Sequence, residues 1–387
     1  MNTNQYTLVL PSWFPSSVDL YNGDFNERMV KAYSMRVNSI VLYIVGDLNI
    51  KKRRIVIQNK HQYKVITVFY PRWSLGFLGT VVNFLNYVYY GLLFGNLLIK
   101  KFGKPVYVHC FVFFPAGLIS WYLAKRYRLN HILTEHWTIF YQSMPNNVHK
   151  ANVFVKYFIK KLISSFALIF PVASALKLEM LSFAPNGKYM VIPNVVDGRL
   201  FFFDNRQKPQ KFVFVHASTL GYQKNPQLLL KAFENALIQK CDASLKLIGP
   251  ISEELIFFIE KSDLLKKNIQ IMGELSHEKV SEEMKKAHCL VLSSRFENLP
   301  CVILEALCCG LLIISTNVGG VSEVVNESNG ILIPENNEDE LTNAYINIRK
   351  KYDGYDHEQI AKNAINKFNY QQNAEMLQDA LKKNKII

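Results

Sequence analysis

The chain has 387 residues, of which 49% are hydrophobic and 20% are charged. This balance excludes a disordered chain, and the length allows one large hydrophobic core or two ordinary ones. The formal net charge of +14 is uneven, because residues 1–197 contain 22 Lys and Arg against 7 Asp and Glu and the rest of the chain is nearly neutral.

In the N-terminal half, short β-branched runs alternate with longer helical patterns, which indicates a mostly parallel, doubly wound sheet. The predicted strands are Tyr6–Leu10, Ser39–Val45, Lys64–Phe69, Val106–Phe111, His131–Thr134 and Tyr189–Ile192. Turn-forming residues at 193–197, followed by a polar stretch at 204–211, mark the join to the C-terminal half.

Two apolar segments of the N-terminal half could contact lipid. Residues 77–99 carry no charge and are long enough to span a bilayer, but their Asn and Gly residues lower the tendency to insert. We therefore favour a buried or interface-lying helix over a span. Residues 153–170 are amphipathic, and core packing explains both segments almost as well as lipid contact does. A cationic half with such stretches favours an anionic membrane surface as partner over nucleic acid.

The C-terminal half repeats the alternation more regularly, which predicts a second Rossmann-type sheet. Its predicted strands are Phe212–His216, Leu245–Gly249, Ile269–Gly273, Cys289–Ser293, Leu312–Ser315 and Ile331–Pro334. The helices between them are predicted at Asn225–Leu237, Glu253–Ser262, Ser276–Ala287 and Pro300–Cys309, and a last helical segment covers 356–383.

We expect an N-terminal Rossmann-like domain over residues 1–195, a second over 196–365, and a C-terminal helix over 366–387 that packs back on the first domain. Ligands of open α/β sheets bind outside the carboxyl ends of the strands. Two facing domains of this kind therefore predict a ligand cleft between them.

Six cysteines show neither the spacing of a zinc site nor a dense disulfide framework. Buried free thiols in a reducing cytosol are the expectation. The start of the chain is polar and uncharged, so no signal peptide is predicted. We therefore expect a cytoplasmic protein, peripheral on the inner face of the cell membrane.

The loop after the predicted strand Cys289–Ser293 carries Glu297, and the helix that follows carries Glu305. Pro300 suits the first turn of that helix. Carboxylates can accept hydrogen bonds from sugar hydroxyls, and one carboxylate can accept two from a ribose diol. On spacing alone, two surface glutamates at a helix start are the better explanation, because the helix dipole favours acidic side chains there.

The first turn of the C-terminal half contains Lys224, Asn225 and Pro226. Asn225 is predicted to cap a helix that begins at Pro226, so that Lys224 and the helix N-terminus face one point. Such an arrangement can hold a diphosphate. An ordinary capped helix with a solvated lysine explains the spacing equally well.

This ordered set resembles glycosyltransferase family 4, within the glycosyl transferases group 1. The resemblance rests on Glu297 followed after seven residues by Glu305–Ala306, then Gly310, Gly319–Gly320, Glu323 and Asn329–Gly330–Ile331. It is strongest between residues 190 and 335. It implies a GT-B fold, with two Rossmann-like doubly wound domains facing across a cleft, and a retaining, nucleotide-sugar-dependent transfer.

The resemblance also implies roles for residues of the C-terminal half. Glu297 lies beside the donor sugar with Asn298 and Leu299 in the same loop, and Glu305 holds the nucleotide ribose. Lys224 and the position of Thr219 reach the diphosphate. The family usually has Arg where this chain has Thr219, which puts the stabilisation of the leaving group in question.

Three further donor contacts are implied by resemblance. Gly23, in a loop after the first strand, approaches the diphosphate through its backbone, although a plain turn is the default explanation. His136, at the end of another strand, contacts the donor sugar, and Glu135 supports its imidazole or contacts the acceptor. Leu275 lies in a strand-end loop beside the base. Glu297, His136 and Lys224 are the expected catalytic residues.

No Asp-x-Asp motif and no metal-ligand spacing occurs in the sequence, so neither a cofactor nor a divalent metal is expected. We predict a retaining hexosyl- or related glycosyltransferase that acts on a glycan or lipid-linked acceptor in bacterial cell-surface polysaccharide synthesis. A GT-B-like nucleotide-sugar epimerase or phosphorylase remains open. A catalytically weak membrane-associated binding protein also remains open, motivated by Thr219.

Overall fold

The computed structural model describes residues 5–74, 76–205 and 207–387. The chain divides into two compact units. The first unit runs to Val195 and also includes Tyr370–Ile387, and the second unit is Val196–Asn369. Each unit has its own sheet, because each half of the sequence alternates buried strands with helices.

The sheet of the first unit has seven strands. They are β1 Tyr6–Pro11, β2 Asn38–Asp47, β3 Arg54–Asn59, β4 Tyr63–Pro71, β5 Val108–Phe111, β6 His131–Glu135 and β7 Leu168–Pro171. Their order is β3-β4-β2-β1-β5-β6-β7, and all neighbours are parallel except β3 and β4. The helices are α1 Asp24–Ser34, α2 Gly76–Phe102, α3 Ala116–Tyr127, α4 Val153–Ser164 and α5 Ser174–Phe183.

The prediction of a strand at Tyr189–Ile192 is wrong. Tyr189 makes only an isolated parallel bridge to Ile169, and the seventh strand is β7. Because β7 is buried along its whole length, its sequence is an unbroken apolar run that continues from α4 without a change of pattern. The edge strand β3 was not predicted, because its exposed residues alternate only weakly in polarity.

The sheet of the second unit has six parallel strands. They are β8 Phe212–Ala217, β9 Ala243–Ile248, β10 Ile269–Gly273, β11 Cys289–Leu292, β12 Leu312–Thr316 and β13 Gly330–Ile333, in the order β10-β9-β8-β11-β12-β13. The helices are α6 Pro226–Ile238, α7 Glu253–Glu260, α8 Asp263–Asn268, α9 His277–Lys285, α10 Cys301–Cys308, α11 Glu338–Lys351 and α12 His357–Phe368. All six strands match predicted ones.

The last helical segment is two helices. α12 ends at Phe368 in the second unit, and α13, Tyr370–Lys383, belongs to the first unit. The apolar face of α13 enters the core of the first unit through Leu377, Leu381 and neighbouring residues. Since these side chains are almost fully buried, the core of the first unit is completed by the last part of the chain.

Helix α2 is the one helix among the described residues that is long and apolar enough to cross a membrane by length and composition alone. It contacts α3, β2 and β4, but few of its residues are buried. The alternative of a buried core helix is therefore wrong for this segment.

Replacing Leu377 by Ala is expected to lower the free energy of unfolding of the first unit by about 2–5 kcal/mol, because the side chain is buried in its core. Urea denaturation followed by tryptophan fluorescence measures this directly, since all four tryptophans, Trp13, Trp73, Trp121 and Trp137, lie in the first unit. The control Leu178→Ala, on a side chain that is 67% exposed, should change it by less than about 0.5 kcal/mol. Equal effects would contradict the assignment of α13.

Candidate active site

The strand order of the second sheet reverses between β8 and β11. The chain proceeds outward from β8 through β9 to β10 on one side, and from β11 through β12 to β13 on the other. Loops that leave the carboxyl ends of β8 and β11 therefore diverge, and such a reversal is where open α/β sheets bind ligands. Lys224 follows β8 and Glu297 follows β11, so both lie at this point.

Lys224 and Glu297 are in direct contact, with 2.5 Å between Nζ and Oε1. Ser294 Oγ donates to the same Oε1 at 2.7 Å, and Gln223 Nε2 approaches Oε2 at 3.4 Å. The Glu297 side chain is only 6% exposed, and a carboxylate so far removed from water needs such partners. An ammonium has three N–H donors, so Lys224 can bind Glu297 and an anionic ligand together.

The Glu297 loop is also fixed to the Lys224 loop by two hydrogen bonds that involve neither the Lys224 nor the Glu297 side chain. Arg295 N donates to Gln223 O at 2.8 Å, and Gln223 Nε2 donates to Phe296 O at 2.8 Å. Because each loop supplies hydrogen-bond partners to the other, the Lys224–Glu297 contact does not depend on those two side chains alone.

On its other side, the Glu297 loop packs against Gly319 and Gly320. Gly320 N donates to Asn298 O at 2.8 Å. Gly319 has a φ of +55°, and a Cβ at this position would lie 1.9 Å from the carbonyl oxygen of Glu297. Only glycine permits both the left-handed backbone and this close approach.

The other residues predicted in this segment are also buried. Asn298 is 7% exposed, Leu299 4% and Glu305, on α10, 4%. The explanation of Glu297 and Glu305 as surface glutamates is therefore wrong. Pro300 precedes α10 as its N-cap in extended conformation instead of forming its first turn.

Asn225 does not cap α6 with its side chain. Its backbone is left-handed, with φ of 49°, whereas a capping side chain needs an extended backbone to reach the first turn. Its side chain instead contacts Arg295 and Asn336, and the Arg295 guanidinium also lies 4.8 Å from the Tyr222 ring centre. Thr219 is exposed in the loop after β8. Because the guanidinium of Arg295 is engaged by Asn225 and Tyr222, it does not replace the Arg expected at Thr219.

His216, near the carboxyl end of β8, connects the two strands on either side of the strand-order reversal. Its Nδ1 donates to Val291 O of β11 at 2.8 Å, and Nε2 lies 2.6 Å from Ser218 Oγ, which accepts Leu220 N. Burial lowers the pKa of His216 to about 4, so the ring is neutral at physiological pH and Nε2 can accept from Ser218. His216 and Ser218 thereby position the loop that leads to Lys224.

Leu275 lies on a different part of the sheet edge. It follows β10, which is separated from β8 by β9. Gly249, after β9, donates its N–H to Gly273 O at 2.8 Å, and a Cβ on Gly249 would lie 1.8 Å from Ser218 O. The ends of β8, β9 and β10 are thus packed closely, but Leu275 is not adjacent to the Lys224–Glu297 pair in strand order.

In the first unit the strand order reverses between β1 and β5. Ser12 joins the two loops there, since its Oγ donates to Val112 O at 2.8 Å and accepts Ala116 N at 3.1 Å. Gly23 has a φ of +68°, and a Cβ there would lie 2.5 Å from the carbonyl of Trp13. A turn packed on Trp13 is thus sufficient to require glycine at this position.

His136 follows β6 and lies among aromatic rings. Its ring centre is 4.5 Å from that of Phe25, two residues after Gly23, so His136 lies beside the start of α1. Trp137 and Trp13 extend the group, with ring centres 5.6 Å apart. Burial lowers the pKa of His136 to about 3, so the imidazole is neutral and can act by hydrogen bonding instead of by charge.

Glu135 does not support the imidazole of His136. Its Oε1 accepts the backbone N–H groups of His136 at 2.9 Å and Trp137 at 2.8 Å, and its Oε2 accepts Phe113 N at 2.9 Å. Burial raises the pKa of Glu135 to about 7, although these three hydrogen bonds oppose the shift. Glu135 therefore shapes the backbone around His136.

Sequence reasoning missed Ser294, Gln223, His216 and Ser218, which hold the predicted residues in place. Ser294 stands three residues before Glu297 in one loop, a local spacing that could have indicated it. Gln223 and His216 act on residues more than seventy positions away, for which the sequence carries no pattern. Within residues 5–74, 76–205 and 207–387, no group of three or more His, Cys, Asp or Glu could hold a metal ion.

Residues 198–367 match the family model described as Glycosyl transferases group 1. The chain is 26% identical over 260 residues to an uncharacterised glycosyltransferase of Methanocaldococcus jannaschii, which covers 66% of this chain and 69% of that protein. It is 31% identical over 176 residues to the UDP-Gal:alpha-D-GlcNAc-diphosphoundecaprenol alpha-1,3-galactosyltransferase of Escherichia coli, over 42% of this chain and 45% of that protein.

A solved structure of sucrose-phosphate synthase from Thermosynechococcus elongatus is similar in fold, with a TM-score of 0.77 at 16% identity over 98% of both chains. This likeness and the two parallel α/β units confirm the predicted GT-B fold class.

Gly319→Ala is expected to lower the free energy of unfolding of the second unit by about 1–3 kcal/mol, because a Cβ at φ +55° would collide with the Glu297 carbonyl. Scanning calorimetry measures the change. Gly354→Ala is the matched control, since nothing lies within 4 Å of its Cβ and its φ is not positive. If both variants were equally stable, the close packing of the two loops would be contradicted.

Glu135→Gln is expected to destabilise the first unit by about 1–3 kcal/mol, because the amide nitrogen would face the N–H of Phe113. The folded-state pKa of Glu135 is raised to about 7 from 4.5, so the unfolded state loses its proton first as pH rises. The free energy of unfolding of the wild type should therefore fall between pH 4.5 and about 7, and the loss of stability caused by Glu135→Gln should shrink over the same range. Urea denaturation at both ends of this range tests this, with Glu179→Gln as control; a cost that grows with pH would refute it.

Proposed function

We propose that this glycosyltransferase, whose residues 198–367 match the family model described as Glycosyl transferases group 1, moves a sugar from a nucleotide diphosphate sugar to a glycan or lipid-linked acceptor with retention of configuration. The observation that carries this proposal is the contact of Lys224 with Glu297 at the strand-order reversal of the second sheet. The name of the Escherichia coli relative gives UDP-galactose as its donor, so uridine diphosphate sugars are the first to test.

In this proposal Lys224 neutralises the diphosphate while Glu297 accepts hydrogen bonds from hydroxyls of the donor sugar. Glu305 binds the ribose, and the loop from Glu297 to Leu299 surrounds the sugar. Support comes from burial, because carboxylates that are partly removed from water bind hydroxyls more strongly than exposed ones do.

For the remaining predicted residues we propose the roles implied by the family resemblance. Gly23 approaches the diphosphate, His136 contacts the donor sugar, and Leu275 lies beside the base. Thr219 leaves the loop after β8 with one cationic side chain, Lys224, where the family usually has two.

The proposed step breaks the bond between the anomeric carbon and the diphosphate oxygen, and the electron pair goes to that oxygen. The acceptor hydroxyl oxygen forms the new bond on the same face of the sugar. Its proton passes to the leaving phosphate. No divalent metal is needed in this proposal, which is supported by the lack of an Asp-x-Asp motif in the sequence.

We propose that the enzyme works in the cytoplasm, peripheral on the inner face of a bacterial cell membrane, in cell-surface polysaccharide synthesis. The charge of the first half supports an anionic membrane as partner, and nucleic acid is not proposed. The relative in Escherichia coli, by its name, acts on a diphosphoundecaprenol-linked sugar, which supports a lipid-linked acceptor.

The decisive experiment incubates the protein with radiolabelled UDP-sugars and with undecaprenyl-diphosphate-linked acceptors, with and without EDTA. Transfer that is insensitive to EDTA and gives the same anomeric configuration as the donor is expected. Epimerised sugar formed without acceptor would replace the proposed transferase by an epimerase. The absence of both transfer and slow hydrolysis with every donor would overturn the proposal.

Lys224→Gln should reduce transfer by about 10²–10³-fold, because it removes the charge that stabilises the leaving diphosphate. The amide still offers a hydrogen bond to Glu297, so folding can be separated from chemistry by calorimetry. Lys231→Ala, an exposed lysine on α6, is the matched control and should keep full activity. Unchanged UDP affinity and rate in Lys224→Gln would contradict the role of Lys224.

A further inference from the structure

The exposed charge of one large part of the first unit has a single sign. Residues 48–178 contain 18 Lys and Arg but only one acidic residue, Glu135, and that residue is buried. No exposed carboxylate within this stretch offsets its basic side chains, although Arg54 lies 3.8 Å from Asp47, which just precedes the stretch. Such a surface attracts polyanions and anionic membranes at long range.

Within this cationic part, α2 packs on α3 through a face of small residues. A Cβ on Gly91 would lie 2.0 Å from Ile119 Cδ1, and one on Gly95 would lie 2.6 Å from Leu123 Cδ1. The two contacts advance by four residues on each helix, so α2 and α3 run side by side in the same direction. Glycine lets the helices approach closely and directs the large side chains of α2 away from α3.

The first turns of α2 project beyond α3. In the register set by Gly91 and Ile119, the start of α3 lies opposite Val88, so residues 76–87 extend roughly 18 Å past it at 1.5 Å per residue. Phe77 is 81% exposed there, and Leu78 is 72% exposed. The Asn83 side chain holds both backbone polar groups of Trp73, which is itself half exposed.

Helix α4 presents a second set of exposed apolar side chains. Phe154 is 82% exposed and Tyr157 is 66% exposed, in a helix that also carries Lys156, Lys160 and Lys161.

The other end of α4 packs near the start of α3, where a Cβ on Gly117 would contact Leu162. On the α2 side, Phe84 stacks on Phe114 just before α3, with ring centres 5.8 Å apart. Both helices therefore flank the start of α3.

Basic side chains border this apolar surface on the α4 side and lie further along α2. The run Lys51–Arg54 is exposed, and the Arg53 guanidinium lies 5.4 Å from the ring centre of Phe94, beyond the projecting turns of α2. On the α4 side the border is formed by the lysines of that helix. Apolar side chains surrounded by Lys and Arg are typical of segments that lie in the interface of an anionic bilayer.

We propose that the first turns of α2 and α4 insert into one leaflet of an anionic bilayer and that α2 lies on the membrane without crossing it. We call the inserting surface the apolar ledge, formed by Trp73, Phe77, Leu78, Leu85, Phe154 and Tyr157. α2 cannot cross, because its Gly91–Gly95 face is packed on α3, which in turn packs on the sheet through β1, β5 and β6. This inference rests on the proposed peripheral membrane location and assigns it to specific residues.

The position of the ledge gives it a consequence for the acceptor. α2 begins after β4 and α4 follows the segment after β6, so the exposed turns of both helices lie at the carboxyl edge of the first sheet. Gly23 and His136 lie at that same edge. A lipid-linked acceptor whose head group stands at the membrane surface would reach this edge without leaving the bilayer.

Lipid is favoured over the other possible partners by the apolar side chains. Nucleic acid would be held by the basic residues alone, whereas exposed Phe, Leu and Trp gain free energy only where they leave water. Exposed apolar side chains grouped on successive turns of a helix mark interaction sites. A second copy of the chain is disfavoured as the occupant, because the cationic borders of two copies would repel each other.

The test is co-sedimentation of the full chain with vesicles of phosphatidylcholine alone or containing phosphatidylglycerol. Binding to phosphatidylglycerol vesicles, weakened by salt, is expected. The double variant Phe77→Ser/Phe154→Ser should lower that affinity by at least about tenfold, because two side chains no longer leave water. Ile238→Ser/Phe257→Ser, on similarly exposed residues of the second unit, is the matched control and should bind like wild type.

Three outcomes would overturn the proposal. The first is equal vesicle binding by the two double variants. The second is a single-stranded oligonucleotide that binds as tightly as phosphatidylglycerol vesicles and equally to both variants, which would indicate a polyanion surface. The third is a dimer in sedimentation velocity that dissociates in Phe77→Ser/Phe154→Ser, which would assign the ledge to a second copy.

Alkaline carbonate extraction of cell membranes separates the two membrane arrangements. A helix that lies on the surface is released, and a chain retained in the pellet would refute the in-plane placement of α2. UDP binding and transfer to a detergent-soluble acceptor are measured on the same preparations. Transfer activity without vesicle binding would remove only the apolar ledge, whereas vesicle binding without UDP binding would remove only the proposed function.

Discussion

The buried carboxylate of Glu297 is the constraint on which the second unit depends. Removing a carboxylate from water costs several kcal/mol unless charge and hydrogen bonds compensate for it. Lys224 and Ser294 supply these partners directly, and Gln223 links the two loops. Since the partners come from the loops after β8 and β11, satisfying this one carboxylate joins both sides of the strand-order reversal. A site built in this way is organised before any substrate arrives.

The fold was largely predictable from the sequence, because parallel strands buried on both faces appear as short apolar runs between helices. The six strands of the second unit follow from this pattern. β7 does not, because its apolar run merges with α4, and β3 does not, because an exposed edge strand has no continuous apolar face. The two failures have different causes: complete burial hides a strand only when its apolar run is not separated from a neighbouring helix, and an exposed strand has no apolar run at all.

The candidate site was predictable where chemistry depends on a local motif. Lys224 and Glu297, which the structure brings into contact, were predicted because their spacing resembles a family signature, and the role of Glu305 stays a prediction. Asn225 was predicted to cap α6, and its left-handed backbone was not predicted. Its side-chain contacts with Arg295 and Asn336, which are distant in the sequence, leave no local pattern. Glu135 shows the same limit: its position beside His136 suggested support of the imidazole or contact with the acceptor, whereas its oxygens accept backbone N–H groups.

The return of α13 to the first unit affects how the protein can be made. Val196–Asn369 is continuous in sequence, so the second unit has all its strands and helices as soon as that stretch leaves the ribosome. The first unit, although synthesised earlier, lacks Leu377 and Leu381 from its core until the helix at Tyr370–Lys383 has emerged. During synthesis its partly formed core therefore stays exposed to chaperones while the later half folds. The order of translation and the order of domain completion are reversed in this chain.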